Sequence, residues 1–506
     1  MQGSMNATVH IGTRSRTSAE IEGRGARAAT GFAAAGVGAG AAVALLLRND
    51  YPLLEASVGA RLLGAYAVPL NWHFSAAEIA YVIHDCDAKV VVASADLLHL
   101  LDVQALRLEG RTLLVAAPQD GSPTVDAVPV WDAWLAAQRP WEGAPAAVME
   151  SVIYTSGTTG RPKGVKRLPA TPEQALRIAD MRAKVYGLVP GIRLIVPAPL
   201  YHGAPNVIAT RGMGVAERLV IMEKFDAEVL LQLIERHRAT TIVMVPTMFV
   251  RLLRLPREVR ERYDVSSLRS VFHAAAPCPP EVKSAMISWW GPIISEWYGT
   301  TESSVITWCD SHEWMAHKGT VGRPIEGARV EIVGEDGQAL PANEPGEVYV
   351  GLNFYPDFTF HNRDEERRKI ERNGLITGGD IGYLDDEGYL FICDRKRDMI
   401  ISGGVNIYPA EIEAAVLELQ EIQDCAVFGV PDAEYGESVL ALVVPATGVP
   451  EAGVQGRVRS HLERRIARFK IPRTIEVRGS LPRDDAGKLI KRQLREPYWR
   501  DAQRQI

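Results

Sequence analysis

A short apolar run, Ser151-Val152-Ile153-Tyr154, leads directly into Thr155-Ser156-Gly157-Thr158-Thr159-Gly160-Arg161-Pro162-Lys163-Gly164. No other stretch limits the fold as much. The first run reads as a buried strand, and the second sets hydroxyl side chains among glycines and closes on a lysine. Glycine lets backbone N–H groups turn toward an anion, Ser and Thr add donors, and Lys163 adds a point charge. The string therefore predicts a strand that delivers a phosphate-binding loop. It is not a Walker A loop, in which Lys and then Ser or Thr directly follow the second glycine, because Gly160 is followed by Arg161-Pro162-Lys163-Gly164. A loop of this composition could be a flexible surface segment, but this particular string argues for the anion site.

The flanking segments set the fold class. Helical patterns over 18–35, 53–64 and 76–85 are each followed by a short apolar strand, over 42–47, 65–69 and 89–92. The pattern resumes with a helix over 171–186 and the strands Arg193-Leu194-Ile195-Val196, Thr241-Ile242-Val243-Met244-Val245-Pro246-Thr247 and Ser270-Val271-Phe272. Such alternation predicts an α/β architecture with parallel pairing. Residues 1–15 read as unstructured. The chain has 506 residues, more than one core usually fills, so at least two domains are expected. Asp394-Arg395-Lys396-Arg397-Asp398 marks a boundary that gives an N-terminal domain over 1–393 and a C-terminal α+β domain over 394–506. In the latter, strands are expected at 425–430 and 440–444 and a helix over 454–467.

Composition excludes several classes. A net charge of −6 and the absence of a long basic tract argue against nucleic acid as a partner. Cys86, Cys278, Cys309, Cys393 and Cys425 are scattered with no CxxC pair, which indicates neither a disulfide framework nor a zinc site and suits a reducing cytoplasm. The first thirty residues lack the apolar core of an export signal. Residues 31–47 are apolar, but Gly36, Gly38 and Gly40 interrupt them, so a helix end, a turn and a strand are expected in place of a membrane span.

Two further motifs accompany the loop. Trp297-Tyr298-Gly299-Thr300-Thr301-Glu302 combines an aromatic face for a base, a glycine for close backbone approach, hydroxyls for phosphate and a carboxylate for Mg²⁺. Leu481-Pro482-Arg483-Asp484-Asp485-Ala486-Gly487-Lys488 ends on a lysine near the C-terminus. Together, and in this order, the three resemble the signatures of the adenylate-forming superfamily, and Ile401-Ser402-Gly403-Gly404-Val405-Asn406-Ile407-Tyr408-Pro409-Ala410-Glu411 resembles its acyl-CoA synthetase branch. The likeness runs from about Ala19 to Trp499.

The resemblance implies a large N-terminal domain of αβ-layered sheets with a small β-rich subdomain, and a smaller mobile C-terminal domain. It implies ATP (leaving as AMP), Mg²⁺ and coenzyme A as cofactors, and as substrate a small carboxylic acid carried through its acyl-adenylate. It assigns Thr155, Ser156, Gly157, Thr158, Thr159, Gly160 and Lys163 to the ATP phosphates. Tyr298, Gly299 and Thr300 are assigned to the nucleotide, Thr301 to phosphate and Glu302 to the metal. Asp380, in Thr377-Gly378-Gly379-Asp380, would accept the ribose hydroxyls, Arg395 would reach ribose or phosphate oxygens, and Lys488 would be the adenylation lysine. His202, in Pro199-Leu200-Tyr201-His202-Gly203, would gate the acyl pocket. Ala274, Ala275, Ala276 and Ser303 would line that pocket, where small side chains leave room for a bulky apolar acid. Arg397 would be the hinge and Gly404 part of the pantetheine tunnel.

This sequence departs from the family pattern at three places: Ser303-Ser304 replaces a usual glycine, Arg397 a usual Asp or Lys, and Asp484-Asp485 sets negative charge beside Lys488. They leave open a member that only makes the thioester from an adenylate supplied by a partner. The same motifs would also serve a ligase that loads a carrier protein, or a non-catalytic ligand sensor. Homodimers are common in the family, and no residue of this sequence demands one.

Overall fold

Runs that are apolar on both faces become strands buried on both faces, the pattern that parallel sheets require. Ala42–Leu46, Tyr66–Pro69 and Thr241–Met244 are buried throughout. In the computed structural model, which describes residues 6–116, 128–144, 146–155, 162–402, 405–432, 434–483 and 489–500, these runs build two sheets. One has four parallel strands in the order Tyr66–Pro69, Ala42–Leu46, Ala88–Ser94, Thr112–Ala116. The other has nine strands, with Ser270–His273, Thr241–Met244, Arg193–Val196 and Arg218–Ile221 parallel at its centre.

The helices Ser18–Ala34 and Tyr51–Leu62 pack between the two sheets. Phe32 and Tyr51 share one apolar cluster with Val43 and Leu45 of the smaller sheet and Leu194 and Val196 of the larger. Their contact is close because Gly25 has no side chain: a Cβ there would lie 2.4 Å from Val58. Thr17 and Glu20 cap the first of these helices reciprocally, and Ser75 and Glu78 do the same for Ala76–Asp85.

The N-terminal segment is not unstructured. Thr8–Ile11 adds to the nine-stranded sheet, parallel to Arg218–Ile221, and turns back through Gly12 (φ 58) onto Arg14–Thr17. Val9 and Ile11 are fully buried. Only two apolar residues alternate there among polar neighbours, too short a pattern to stand out.

A β-rich subdomain follows, with the antiparallel strands Ala328–Val333, Gly346–Leu352, Leu375–Leu384 and Leu390–Arg395. Ile153–Thr155, Lys163–Arg167 and Phe358–Phe360 form a separate small sheet. From Ile400 onward the chain builds a five-stranded sheet of its own. Its core of Ile400, Ile412, Val427 and Val458 is closed by the helices Pro409–Leu417 and Val454–Arg465. The architecture is thus a large N-terminal domain of layered α/β sheets with a β-rich subdomain, followed by a smaller α+β domain. Among the described residues, no helix is long and apolar enough to cross a membrane.

Candidate active site

The strand Ile294–Thr300 runs antiparallel to Ser304–Cys309, and its register shifts between Tyr298 and Gly299. The shift requires glycine: a Cβ on Gly299 would stand 1.9 Å from the Ser304 carbonyl oxygen. Beyond it the chain makes a tight turn. Thr300 N–H donates to Ser303 Oγ at 2.9 Å and Ser303 N–H to Thr300 Oγ1 at 3.1 Å. The buried Arg167 guanidinium donates to the carbonyls of Thr301 (2.7 Å) and Glu302 (2.6 Å). The turn is therefore held by its own side chains and by one arginine below it. Glu302 is left with no hydrogen bond or ion pair to its carboxylate among the described residues.

The strand Leu375–Leu384 passes next to this turn, and a Cβ on Gly378 would lie 2.8 Å from Thr300 Cγ2. Two residues on, Asp380 is 5% exposed and accepts a 2.7 Å hydrogen bond from the Tyr298 hydroxyl at Oδ2. Arg395, its register partner on Leu390–Arg395, faces Oδ1 at 3.4 Å. Burial and the Asp380 charge push the Tyr298 hydroxyl well above its ordinary pKa, so it stays protonated and donates. Next to this pair, Glu347 receives Thr377 Oγ1 at 3.0 Å and Lys396 Nζ at 2.8 Å.

Lys163 is ion-paired with Glu366 and lies 5.3 Å from the Phe360 ring centroid. The bond from Lys163 holds the Glu366 carboxyl below the usual range. Just ahead of the loop, Tyr154 donates at 2.7 Å to Asp85. Thr155 ends its strand at the rim of the cleft. Ser156, Gly157, Thr158, Thr159, Gly160, Gly404 and Lys488 lie outside the described residues.

His202 is the residue before the helix Gly203–Gly212. Its ring is 4.5 Å from that of Tyr201, which in turn meets Trp72 edge-on at 4.5 Å. Ala274, Ala275 and Ala276 follow the strand Ser270–His273 on the same cleft, with Ala275 in the left-handed region at φ 73. Ser303 is turned inward, its hydroxyl engaged with Thr300 and Ser304, whereas Ser304 lines the cleft.

The cleft has a volume of about 3170 Å³ and both domains line it, Tyr298, His202 and Asp380 from one and Asp424 and Tyr408 from the other. Arg254 donates to the Gln423 carbonyl across it. Arg397 lies in the turn between Leu390–Arg395 and Ile400–Ser402, and its carbonyl accepts from Arg495 at 3.0 Å. Asp394, just before this turn, takes N–H groups of Arg395 (2.7 Å) and Ala410 (2.8 Å), and burial pushes its carboxyl up to about 6.

The described residues contain no group of three metal-ligating side chains. A Mg²⁺ bound chiefly through substrate phosphates, with Glu302 as its protein ligand, fits this arrangement. Arg167, Glu347 and Glu366 shape the site without having been singled out in the sequence. Arg167 and Glu366 carried no signal there beyond being charged.

The family profile described as AMP-binding enzyme matches residues 2–353, and that for the AMP-binding enzyme C-terminal domain matches 411–488. A feruloyl-CoA synthase of an Amycolatopsis species is 32% identical over 503 residues, 97% of this chain and 96% of its own length. A long-chain-fatty-acid–CoA ligase of Mycobacterium tuberculosis is 32% identical over 473 residues, 90% of this chain and 88% of its own. Among solved structures, the amide bond synthetase McbA from Marinactinospora thermotolerans superposes with a TM-score of 0.82 at 27% identity, covering 98% of this chain and 97% of that one. The chain belongs to the AMP-binding enzyme family, the adenylate-forming superfamily, within its acyl-CoA ligase branch.

Proposed function

We propose that this protein joins a bulky, largely apolar carboxylic acid to the thiol of coenzyme A through an acyl-adenylate. One observation carries the reading: Tyr298, Asp380 and Arg395 meet beside the Thr300-Thr301-Glu302 turn, on a cleft whose other walls bear His202 and Ala274. An oriented carboxylate with an arginine next to it suits a ribose diol and its phosphate, and the open turn suits the phosphate chain.

A free carboxylate is a poor acyl donor because oxide does not leave. Attack of the acid on the α-phosphate of ATP expels pyrophosphate and gives a mixed anhydride whose leaving group is AMP. In this reading Asp380 receives the ribose hydroxyls, Tyr298 flanks adenine and keeps Asp380 aimed, and Thr301 donates to the α-phosphate. Lys163 and the glycine-rich loop, from Ser156 to Gly160, take the outer phosphates. Glu302 would hold Mg²⁺, which would supply neutralisation of the phosphate charge. Lys488 stabilises charge between carboxylate and phosphate. The second step needs the C-terminal domain, bounded at residue 394, to turn about Arg397, withdrawing Lys488 and bringing Gly404 to the thiol's path. His202 gates the acyl pocket, and Ala274, Ala275 and Ala276 leave space for the acid's body.

The test is a panel of acids with ATP and Mg²⁺, with and without coenzyme A, alongside preformed acyl-adenylates, read by mass. Acyl-CoA from acid and ATP, lost in Lys488→Ala, is the expected result. Thioester only from preformed adenylates would reduce the protein to the second half-reaction. Product only with an amine or a phosphopantetheinylated carrier protein would replace the acceptor.

A further inference from the structure

Two side chains that flank the glycine-rich segment lead to one arginine. On the strand before it, the buried Tyr154 donates at 2.7 Å to Asp85 Oδ2. On the strand after it, Lys163 is ion-paired with Glu366 Oε2. Arg363 stands between the two carboxylates, with Asp85 Oδ1 at 3.6 Å and Glu366 Oε1 at 3.7 Å.

The backbone brings these groups together. Thr155 opposes Lys163 and Tyr154 opposes Gly164 across the two strands. A Cβ on Gly164 would lie 2.7 Å from Tyr154 Cζ, so the tyrosine rests against the backbone next to Lys163. His361 N–H donates to the Gly164 carbonyl at 3.0 Å and sets the start of the segment that bears Arg363 and Glu366. Asp85 closes the helix Ala76–Asp85, where the helix dipole disfavours a carboxylate, so its place there is not explained by that helix. It accepts from the Tyr81 hydroxyl at 3.0 Å, and Arg363 donates to the same hydroxyl. The guanidinium is thus anchored on the Tyr81 and Asp85 side, while its separation from Glu366 is longer than a hydrogen bond.

Glu366 is a carboxylate shared by two cations. The bond from Lys163 and the charges of Lys163 and Arg363 hold its carboxyl below the usual range, so it is ionised. In the ligase reading, Lys163 serves the ATP phosphates. A phosphate oxygen that takes Lys163 leaves the Glu366 charge behind, next to another anion, and like charges repel. Arg363 is the cation already placed to receive that carboxylate.

We propose that Arg363 is a positioning residue for nucleotide binding: when a phosphate oxygen of ATP takes Lys163, Glu366 turns to Arg363 and closes the present 3.7 Å to a hydrogen bond. The inference rests on the acyl-CoA ligase reading and deepens it, because Lys163 becomes available through an exchange of partners.

The experiment measures ATP binding to the full-length protein by titration calorimetry, with Mg²⁺ and no acid, and KM for ATP by pyrophosphate release. Wild type, Arg363→Met, Glu366→Gln and the double variant form a cycle. Arg363→Met should weaken ATP binding by about threefold to fivefold, the value of a partly exposed ion pair, with kcat little changed. Arg363→Lys should restore part of the affinity. In the Glu366→Gln background the same Arg363→Met change should alter affinity by less than about twofold, since no carboxylate is left to exchange. An effect of equal size in both backgrounds, or none in either, overturns the inference, because a structural role through Asp85 and Tyr154 does not depend on Glu366. Should Arg363→Met fail to fold, Arg363→Gln carries the same comparison. No ATP binding by wild type fails the ligase reading and the inference with it, whereas ATP binding without coupling in the cycle fails the inference alone.

Discussion

The Tyr298 hydroxyl donates a 2.7 Å hydrogen bond to Asp380 Oδ2, joining the end of a central strand to a β-rich subdomain strand 82 positions away. Arg395 meets the other carboxylate oxygen at 3.4 Å, so Asp380 is aimed from both sides before any ligand arrives. If Asp380 binds the ribose diol, Asp380→Ala should lower kcat/KM for ATP by roughly tenfold to a hundredfold, the value of charged hydrogen bonds. Tyr298→Phe removes only the aiming bond and should raise KM for ATP by about threefold to tenfold with kcat little changed. Steady-state pyrophosphate release gives both, and an unaltered KM in both variants would remove the pair from the nucleotide site.

Lys163 is occupied by Glu366. A phosphate oxygen that binds Lys163 must compete with that carboxylate, so Glu366→Gln should lower KM for ATP, by up to about fivefold for a pair of this exposure. Lys163→Met should raise it. Should Glu366→Gln raise KM instead, the pair positions the lysine and does not restrain it.

Much of the layered sheet was legible because its patterns are local. Ala76–Asp85 and Arg193–Val196 begin and end where apolar spacing and capping residues say they should. Thr8–Ile11 was not, because four residues with two inward side chains become a strand only through the sheet edge offered by Arg218–Ile221. The site divides in the same way. Tyr298, Asp380 and Arg395 stood in recognisable motifs. Arg167, by contrast, acts on the carbonyls of Thr301 and Glu302, partners 134 and 135 positions away that no spacing rule connects. Inward turning of Ser303 likewise depends on which face a side chain takes after the backbone has folded.

Gly299 is the position where backbone and site are most tightly coupled. With the Ser304 carbonyl 1.9 Å from where a Cβ would stand, Gly299→Ala must open the register shift that forms the turn. A loss of about 3 kcal/mol or more is expected, the range of severe packing substitutions. It should appear as a lower midpoint in urea together with loss of adenylate formation. Wild-type stability in this variant would show that the bulge can relax at little cost.

Asp394 links pH to the stability of the boundary between the domains. It accepts N–H groups from Arg395 and Ala410, the second at the start of the helix Pro409–Leu417, and lies in the field of Lys491. Burial outweighs these favourable terms and raises the carboxyl from its ordinary 3.8 to about 6. A folded pKa above the unfolded one means that the native state holds the proton more tightly. From about pH 4 to 6 the folded protein therefore binds more protons than the unfolded chain, and stability falls as pH rises through that window. Above it, the ionised carboxylate costs on the order of 3 kcal/mol relative to a group with no shift. Asp394→Asn cannot ionise, so its stability should change less with pH across the window. Wild type should gain on the variant as the solution is made more acidic. Urea unfolding of both proteins at small pH steps measures the two slopes. Parallel slopes would mean that Asp394 titrates near its ordinary value, and that its two N–H bonds together with Lys491 offset the burial.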